Sequence, residues 1–295
     1  MNYSKISIIG AGPAGIATAI QLKRFGYKPR LFERKNIGGL LWNANLVENY
    51  PGFPNGIEGK KLIHLMEKHL TNLEIEVSFE EINNISLDGE QFIIKSGQNE
   101  YLSDYVVIAT GTKPKADGYN IPNPIRKNRI YHDVSELLGI KEKKVIIIGA
   151  GDAAFDHALY LGKNNIVTII NRGDKIKALN LLVDRVISNP SISYFENICI
   201  KCFDIILNSE TTDRSQLRII GTSQNINKEF ICDYVVFAFG REPQLDFVES
   251  QMLNNNKCFL VGDVLNGSFR QASIAIGNGV EAAMKIHQMI LNEES

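Results

Sequence analysis

Short apolar runs alternate with glycine-rich turns and helix-like segments along most of the chain, a pattern typical of strands and helices that follow one another in an α/β fold. The apolar run 6–9 predicts a buried strand, a helix-like segment covers 16–25, and a second strand covers 29–32. The same succession of strand, glycine turn, helix and strand returns over 145–170. The hydrophobic pattern therefore predicts an internal repeat of one α/β unit.

The turn between the first strand and its helix fits the pattern G-x-G-x-x-G. In this pattern Gly10 permits the tight turn, Gly12 lets a pyrophosphate approach the backbone, and Gly15 allows close packing of helix and strand. Glu33, at the end of the second strand, is placed to hydrogen-bond a ribose hydroxyl. Together with the free N–H groups of the helix N-terminus, these features predict a dinucleotide site. The residues assigned to this site are Gly10, Gly12, Pro13, Ala14, Gly15, Glu33 and Arg34.

The second glycine turn, 149–154, ends its pattern in alanine, which the motif allows, and predicts a second dinucleotide. An acid at the end of the following strand favours NAD, whereas an arginine accommodates the 2′-phosphate of NADP. Asn171 and Arg172 stand there, so the sequence favours NADP and leaves NAD open. Asp152 is interpreted as a helix N-terminal acid and not as a catalyst. The residues assigned to this second site are Gly149, Gly151, Asp152, Ala153, Ala154, Asn171 and Arg172.

Three further segments complete the outline of the chain. Residues 113–129 are polar and contain prolines, which predicts a linker, and residues 192–237 predict further strands. The last segment, 271–291, predicts a helix that contains Gly277 and Gly279. Each interior glycine weakens a helix by about 0.8–1 kcal/mol, so we expect a flat, bulky group to pack against that face.

Composition limits the class of protein. The chain is 44% hydrophobic and 22% charged, as in globular proteins that fold in water, and its formal net charge of -1 argues against a nucleic-acid partner. No apolar run has the length of a membrane span, and the first strand begins too early to leave room for a signal peptide, so we expect a cytoplasmic protein. Four cysteines in 295 residues do not suggest a disulfide framework.

The order of these motifs resembles that of the low-molecular-weight thioredoxin reductase family over essentially the whole chain. The most specific matches are the segment 263–272 and the loop 47–54. The resemblance implies a flavoprotein that uses FAD and NADP or NAD, and a homodimer. It also implies a discontinuous FAD domain, 1–112 plus 244–295, into which an NAD(P)H domain, 113–243, is inserted.

The resemblance further implies roles for individual residues. Glu33 would meet the adenosine ribose of FAD, and Asp263 would bond the ribityl chain. The N-terminus of the last helix would lie beneath the flavin, where its dipole stabilises negative charge. The other cofactor-binding residues implied, with the two points where the chain crosses between domains, are Gly39, Leu40, Asn49, Thr110, Gly111, Gly240, Arg241, Gly262, Arg270, Gln271 and Ala272.

The sequence departs from the family at the redox dithiol. Thioredoxin reductases carry a Cys-x-x-Cys shortly before the second glycine motif, and the segment 131–136 in that position contains no cysteine. An ungapped placement puts His132 and Ser135 where the thiols would be. His132 is the candidate catalytic residue, because an imidazole near the flavin can donate a proton to an acceptor. The alternative is a polar residue that flanks the linker and has no role in the chemistry.

A Cys-x-x-Cys does occur elsewhere, at Cys199 and Cys202, within a predicted strand. Residues i and i+3 of a regular strand point to opposite faces, and working redox pairs usually begin a helix. We therefore do not expect this pair to be catalytic. Two cysteines also cannot complete a tetrahedral zinc site, so no metal is expected.

Three functions remain open. The first is an FAD-dependent NAD(P)H oxidoreductase whose reduced flavin passes electrons directly to ferredoxin, flavodoxin, a quinone or another small molecule. The second is a disulfide reductase that works through Cys199 and Cys202 or through a thiol on a partner. The third is a flavin-binding redox sensor that does not turn over, against which the intact second glycine motif argues.

Overall fold

The computed structural model describes residues 2–206 and 216–295. Part of the region 192–237 with predicted strands, residues 207–215, thus lies outside the described residues. Within the described ranges, no helix is both long enough and apolar enough to span a membrane. The helices are α1 (Pro13–Arg24), α2 (Gly59–Asn72), α3 (Asn123–Arg129), α4 (Asp152–Leu161), α5 (Asn180–Ile187) and α6 (Ala272–Glu293).

The strands follow the predicted alternation closely. Most of them fall within one or two residues of the apolar runs in the sequence. They are β1 (Asn2–Tyr3), β2 (Ile6–Ile9), β3 (Arg30–Glu33), β4 (Val77–Phe79), β5 (Asn84–Asp88), β6 (Gln91–Ser96), β7 (Asn99–Ser103), β8 (Tyr105–Ile108), β9 (Thr112–Pro114), β10 (Ile130–Tyr131), β11 (Lys144–Ile148), β12 (Ile166–Ile170), β13 (Ile192–Phe195), β14 (Cys199–Ile206), β15 (Gln216–Ser223), β16 (Ile226–Cys232), β17 (Tyr234–Phe237), β18 (Arg241–Pro243) and β19 (Cys258–Leu260).

The chain divides into two compact units. The first unit consists of Met1–Trp42, Val47–Lys113 and Arg241–Ser295, and the second of Asn43–Leu46 and Pro114–Gly240. The segment Asn43–Leu46 belongs to the second unit although its flanking residues belong to the first, which the sequence did not predict.

A five-stranded parallel sheet, ordered β19-β8-β2-β3-β4, forms the centre of the first unit. Strands β2 and β8 are buried at every position, as expected for a parallel sheet that is covered on both faces. Pro13 begins α1, where its missing N–H leaves no hydrogen bond unmade. Apolar residues of α1 and α6 join Leu31 and Tyr105 in one core. A second sheet, β1-β7-β6-β5, completes the unit.

Gly279 has a different role from the one predicted. A Cβ built on Gly279 would lie only 2.3 Å from the carbonyl oxygen of Ala14 in α1. The Thr18 hydroxyl also donates to the Gly279 carbonyl oxygen, at 3.2 Å. The expectation that a flat group explains this glycine is therefore wrong, because the close approach of α1 requires it. A Cβ on Gly277 would have nothing within 4 Å.

A second five-stranded parallel sheet, ordered β10-β17-β11-β12-β13, forms the centre of the second unit. The unit also contains an antiparallel sheet of β14, β15 and β16. Residues of both sheets, among them Ile148, Phe203 and Ile219, share one apolar core. Helix α4 packs through Phe155 and Leu161 into a second core with β11 and β12.

The segment 113–129 is not the plain linker that the sequence predicted. Residues Thr112–Pro114 form β9, which pairs with β18, and Asn123–Arg129 form α3. Ile121 and Ile125 are buried, and both belong to the core of the second unit. The prediction failed because two apolar residues in a polar stretch give little periodic signal.

Candidate functional site

The loops that follow parallel strands lie at one edge of their sheet, the carboxyl edge. In the first unit β2 leads into the glycine turn, β3 ends at Glu33, β8 leads to Thr110, and β19 leads to Gly262. The motifs that are far apart in the sequence are therefore brought to one edge of one sheet.

The first glycine turn uses its three glycines in different ways. Gly10 has a φ of 104°, and a Cβ there would lie 2.5 Å from the carbonyl oxygen of Ala109. A Cβ on Gly15 would lie 1.9 Å from the carbonyl oxygen of Gly10, so both positions exclude any side chain. A Cβ on Gly12 would meet nothing within 4 Å. The open side of the turn is therefore at Gly12, ahead of the N-terminus of α1.

The Glu33 carboxylate faces this turn. Its Oε2 accepts the N–H of Ala11 at 2.9 Å, and its Oε1 accepts the N–H of Lys35 at 2.9 Å. These two bonds fix the orientation of the carboxylate beside the glycine turn. Arg34, which follows it, is exposed.

The predicted loop residues lie at the start of α6. The Asn49 side-chain amide donates to the Gln271 side-chain oxygen at 2.6 Å, which ties the loop 47–54 to the helix. Gln271 precedes the first helical residue, Ala272, and no side chain caps the first turn. The first N–H groups of α6 are thus without a side-chain acceptor within the described residues. Gly39 and half-buried Leu40 begin a short 3₁₀ turn, Gly39–Asn43.

Gln244, which the sequence motifs did not indicate, lies beside the predicted site residues Thr110 and Gly111. Its carbonyl oxygen accepts the Thr110 hydroxyl at 2.7 Å, and its N–H donates to the carbonyl oxygen of Gly111 at 3.1 Å. Its side-chain oxygen Oε1 is buried and has no hydrogen-bond partner among the described residues. In the sequence, Gln244 could have been found from its position directly after the segment 240–243, where the chain is predicted to pass from one domain to the other.

A second buried polar atom lies on Arg270. The guanidinium nitrogens donate to the carbonyl oxygen of Arg241 at 3.4 Å, while Nε is buried without a partner in the described part of the chain. Arg241 itself donates to Thr112 through Nε and a terminal nitrogen, at 3.1 and 2.9 Å. Burial raises the pKa of Asp263, and the charges of Arg270 and Arg241 only partly oppose this. Gly262 before it has a φ of 75°.

The second glycine turn repeats the geometry of the first at the carboxyl edge of its own sheet. Gly149 has a φ of 148°, and a Cβ there would lie 2.3 Å from the carbonyl oxygen of Ala238. A Cβ on Gly151 would meet nothing within 4 Å. Asp152 begins α4, and its Oδ1 accepts the N–H of Leu179 at 2.8 Å.

The other residues assigned to the second site differ in exposure. Ala153 is exposed, whereas Ala154 is fully buried against the sheet. Arg172 is exposed, whereas Asn171 is buried, with its side-chain amide bonded inside its own loop. Asn171 is therefore not available as the direct nucleotide contact that the sequence predicted. Gly240, with a φ of 128°, follows β17 at the same sheet edge.

His132 directly follows β10, and its ring packs against Phe237 at a centroid distance of 5.5 Å. The Asn43 side chain forms hydrogen bonds with the residues that follow His132. Its side-chain amide donates to Asp133 at 2.9 Å, and its side-chain oxygen accepts the N–H of Ser135 at 2.9 Å. The segment 131–136, which the resemblance placed at the dithiol position, is thus held by two hydrogen bonds to the Asn43 side chain.

The strand that carries Cys199 and Cys202 is irregular. A β-bulge lies between Ile200 and Cys202, which pair with adjacent residues of β15, so Lys201 is an extra residue. Ile200 and Phe203 are both buried, and the two cysteines are both exposed. The expectation that the cysteines point to opposite faces is therefore wrong, because the bulge shifts the alternation by one residue.

The remaining cysteines are less accessible. Cys232 is fully buried, and burial raises its pKa well above the usual range. Burial also raises the pKa of Cys258 to about 11. Among the described residues, no group of three or more His, Cys, Asp or Glu residues is placed to hold a metal ion.

Comparison with known proteins identifies the family. The model of the pyridine nucleotide-disulphide oxidoreductase family matches residues 4–279. The chain belongs to this family. Its sequence is 28% identical over 311 residues to a thioredoxin reductase from Rickettsia prowazekii, and the match covers 97% of this chain and 98% of the relative.

Solved structures agree with the fold. The thioredoxin reductase from T. acidophilum superposes with a TM-score of 0.85 at 24% identity, over 99% of this chain and 100% of that chain. A bacillithiol disulfide reductase from Bacillus cereus gives a TM-score of 0.75 at 20% identity, with the same coverage. These likenesses confirm the α/β fold with two Rossmann-like domains.

The family also confirms the predicted class of enzyme. This pyridine nucleotide-disulphide oxidoreductase is a thioredoxin reductase-like flavoprotein, an FAD-dependent NAD(P)H oxidoreductase. Membership of the family also confirms the predicted cofactors, FAD and a nicotinamide dinucleotide.

Proposed function

We propose that the first unit binds FAD, that the second binds NADP(H) in preference to NAD(H), and that electrons leave the flavin directly for an acceptor without a protein dithiol. The acceptor class is a small redox protein such as ferredoxin or flavodoxin, a quinone or another small molecule. One observation carries this proposal: the segment 131–136 has no cysteine, and its backbone and Asp133 are bonded to Asn43.

The first unit offers groups that fit FAD. The open side of Gly12 and the uncapped start of α1 suit a pyrophosphate. Glu33 would hold the adenosine ribose. Oε1 of Gln244 and Nε of Arg270 are buried and have no hydrogen-bond partner among the described residues, and as an acceptor and a donor they suit the polar part of a ligand. The uncapped start of α6, at Ala272, would stabilise negative charge on a reduced flavin.

The second unit offers groups that fit NADP(H). Gly151 is open in the same way as Gly12. Exposed Arg172 stands after β12, where a 2′-phosphate would lie in this fold. A cation at this position attracts the phosphate that distinguishes NADP from NAD.

When bound, FAD accepts a hydride from the nicotinamide and passes electrons onward. The chain itself orients the two cofactors and supplies protons. We assign to His132 the role of donating a proton to the acceptor, and its ring is held against Phe237 at the carboxyl edge of the second sheet. Replacing it should slow electron delivery to an acceptor that needs a proton and leave flavin reduction unchanged.

The test is anaerobic mixing of the purified flavoprotein with one equivalent of NADPH or NADH, while the absorption of oxidised flavin is followed. We expect NADPH to bleach the flavin faster than NADH. His132→Asn should bleach at the rate of the unmodified protein but turn over more slowly with a quinone. If neither nucleotide bleaches the flavin, the proposal fails and a redox sensor becomes the better interpretation.

A disulfide reductase is the second candidate, and one observation favours it. The bulge in β14 places both Cys199 and Cys202 on the exposed side of the strand. The names of the relatives state that those proteins reduce thioredoxin or bacillithiol disulfide. Under this alternative the two thiols, or a thiol on a partner, would carry the electrons that the flavin releases. The homodimer that the family resemblance implies is compatible with both candidates.

A further inference from the structure

The loop between β12 and α5 carries three exposed cations. Arg172, Lys175 and Lys177 are all exposed, and exposed Asp174 is the acid among them. The loop therefore has an excess of positive charge next to the open glycine turn. A loop of this kind binds a phosphate strongly only if its cations are held in place before the ligand arrives.

Asn171 holds this loop from within. It is 8% exposed, and its side-chain amide donates to the carbonyl oxygen of Lys175 at 3.2 Å and to the Tyr194 hydroxyl at 2.9 Å. Its side-chain oxygen accepts the N–H of Gly173 at 3.2 Å. Both N–H donors of the amide are thus used. Only a side chain with a donor and an acceptor at this point can bond both the Gly173 N–H and the Lys175 carbonyl.

The far end of the loop is fixed to the glycine turn. The N–H of Lys177 donates to the carbonyl oxygen of Ala150 at 2.8 Å. Two residues later the N–H of Leu179 donates to the Asp152 carboxylate at 2.8 Å. The loop is therefore anchored at Asn171 on one side and at the turn on the other, and the backbone between them has little freedom.

We propose that Asn171 is a positioning residue that sets the selectivity for NADP(H) over NAD(H) by fixing the cationic loop 172–177 beside the second glycine turn. This inference rests on the proposed function of the second unit as the nucleotide site. NADP differs from NAD only in its 2′-phosphate, so a loosened loop should weaken NADP binding and leave the rest of the nucleotide interaction intact.

The chain offers a matched control at the other end of the same strand. Asn165 precedes β12 and is 7% exposed, almost the same as Asn171. Its side chain makes a similar set of bonds, donating to the carbonyl oxygens of Ile140 and Leu161 and accepting the N–H of Lys143. It lies at the amino end of β12, away from the cationic loop. Asn165→Ala should therefore lower the free energy of unfolding by about as much as Asn171→Ala while leaving the cationic loop unchanged.

The experiment is calorimetric titration of the holoprotein with adenosine 2′,5′-bisphosphate, which carries the distinguishing phosphate, and with adenosine 5′-monophosphate, which lacks it. In Asn171→Ala we expect about tenfold weaker binding of the bisphosphate, because ordering the loop must now be part of binding. Binding of the monophosphate should stay within about twofold, and Asn165→Ala should change neither affinity.

Asn171→Leu, which keeps the approximate size of the side chain, adds no charge and can neither donate to the Lys175 carbonyl nor accept the Gly173 N–H, should give the same selective loss if the alanine variant does not fold. Equal losses for both ligands in the Asn171 variants, or no loss for the bisphosphate, would overturn the positioning role alone. Failure of the unmodified protein to bind either ligand would overturn the proposed nucleotide site, and the inference with it.

Discussion

Replacing Asp156 by asparagine should remove a pH dependence from the stability of the protein. Asp156 lies in α4, and its Oδ2 accepts the N–H of Asn45 at 2.8 Å. Burial raises the pKa of this carboxyl from 3.8 to about 6, and the N–H groups of Asn45 and Leu46 and the charge of Lys163 do not compensate. The ionised carboxylate is therefore disfavoured in the folded protein relative to the unfolded chain.

The sign and the size of this pH dependence follow from the linkage between proton binding and folding. Between about pH 4 and pH 6 the folded protein keeps a proton on Asp156 that the unfolded chain has lost, so this group makes stability fall as pH rises. Below this window the cost is absent, and above it the cost is fully present. The difference between 3.8 and about 6 corresponds to roughly 3 kcal/mol.

The assay is urea unfolding of the holoprotein at a series of pH values across this window. The free energy of unfolding of Asp156→Asn minus that of the unmodified protein should rise by roughly 2.5 kcal/mol from pH 4 to pH 7. Asp184→Asn, at an exposed position in α5, is the control and should run parallel to the unmodified protein. If Asp156→Asn also runs parallel, the carboxyl is not held in an unfavourable charged state, and the reasoning fails.

Two further changes test the packing and the chemistry. Gly279→Ala should lower the free energy of unfolding by about 1–3 kcal/mol, since its Cβ would lie 2.3 Å from the Ala14 carbonyl oxygen. Gly277→Ala, which has open space around the added Cβ, should raise the free energy of unfolding by about 0.5–1 kcal/mol. Equal effects of the two substitutions in urea unfolding would contradict this explanation of Gly279. The Cys199→Ser, Cys202→Ser double variant should keep its steady-state NADPH oxidation with a quinone, and a large loss of turnover would instead favour the disulfide reductase.

Local pattern predicted most of the fold. The apolar run Ile6–Ile9, the glycine turn and Glu33 lie next to one another in the sequence, so their geometry follows from short-range rules. The carboxyl edge of a parallel sheet then brings Thr110 and Gly262 to the same place, because the loops that follow parallel strands share one edge.

The features that the sequence did not predict depend on non-local contacts. Gly279 is required by helix α1, which precedes it by more than two hundred residues. The segment Asn43–Leu46 is fixed to the second unit by Asp133, Ser135 and Asp156. A pattern in one stretch of chain carries no information about such partners. The two cysteines of β14 belong here as well, because the bulge is visible only in the pairing with β15.

The internal repeat gives a physical reason for the selectivity for NADP over NAD that we propose for the second unit. In the first unit Glu33 turns back and accepts the N–H of Ala11 at 2.9 Å, so a negative charge stands at the glycine turn. At the corresponding place in the second unit Asn171 bonds its own loop instead, and Arg172 after it is exposed. An acid at this place would hold the ribose hydroxyls and repel a 2′-phosphate, whereas the inward asparagine leaves only the cation facing a ligand. Under the proposed function one fold thus gives two sites for different dinucleotides, and the side chain that follows the second strand of each unit distinguishes them.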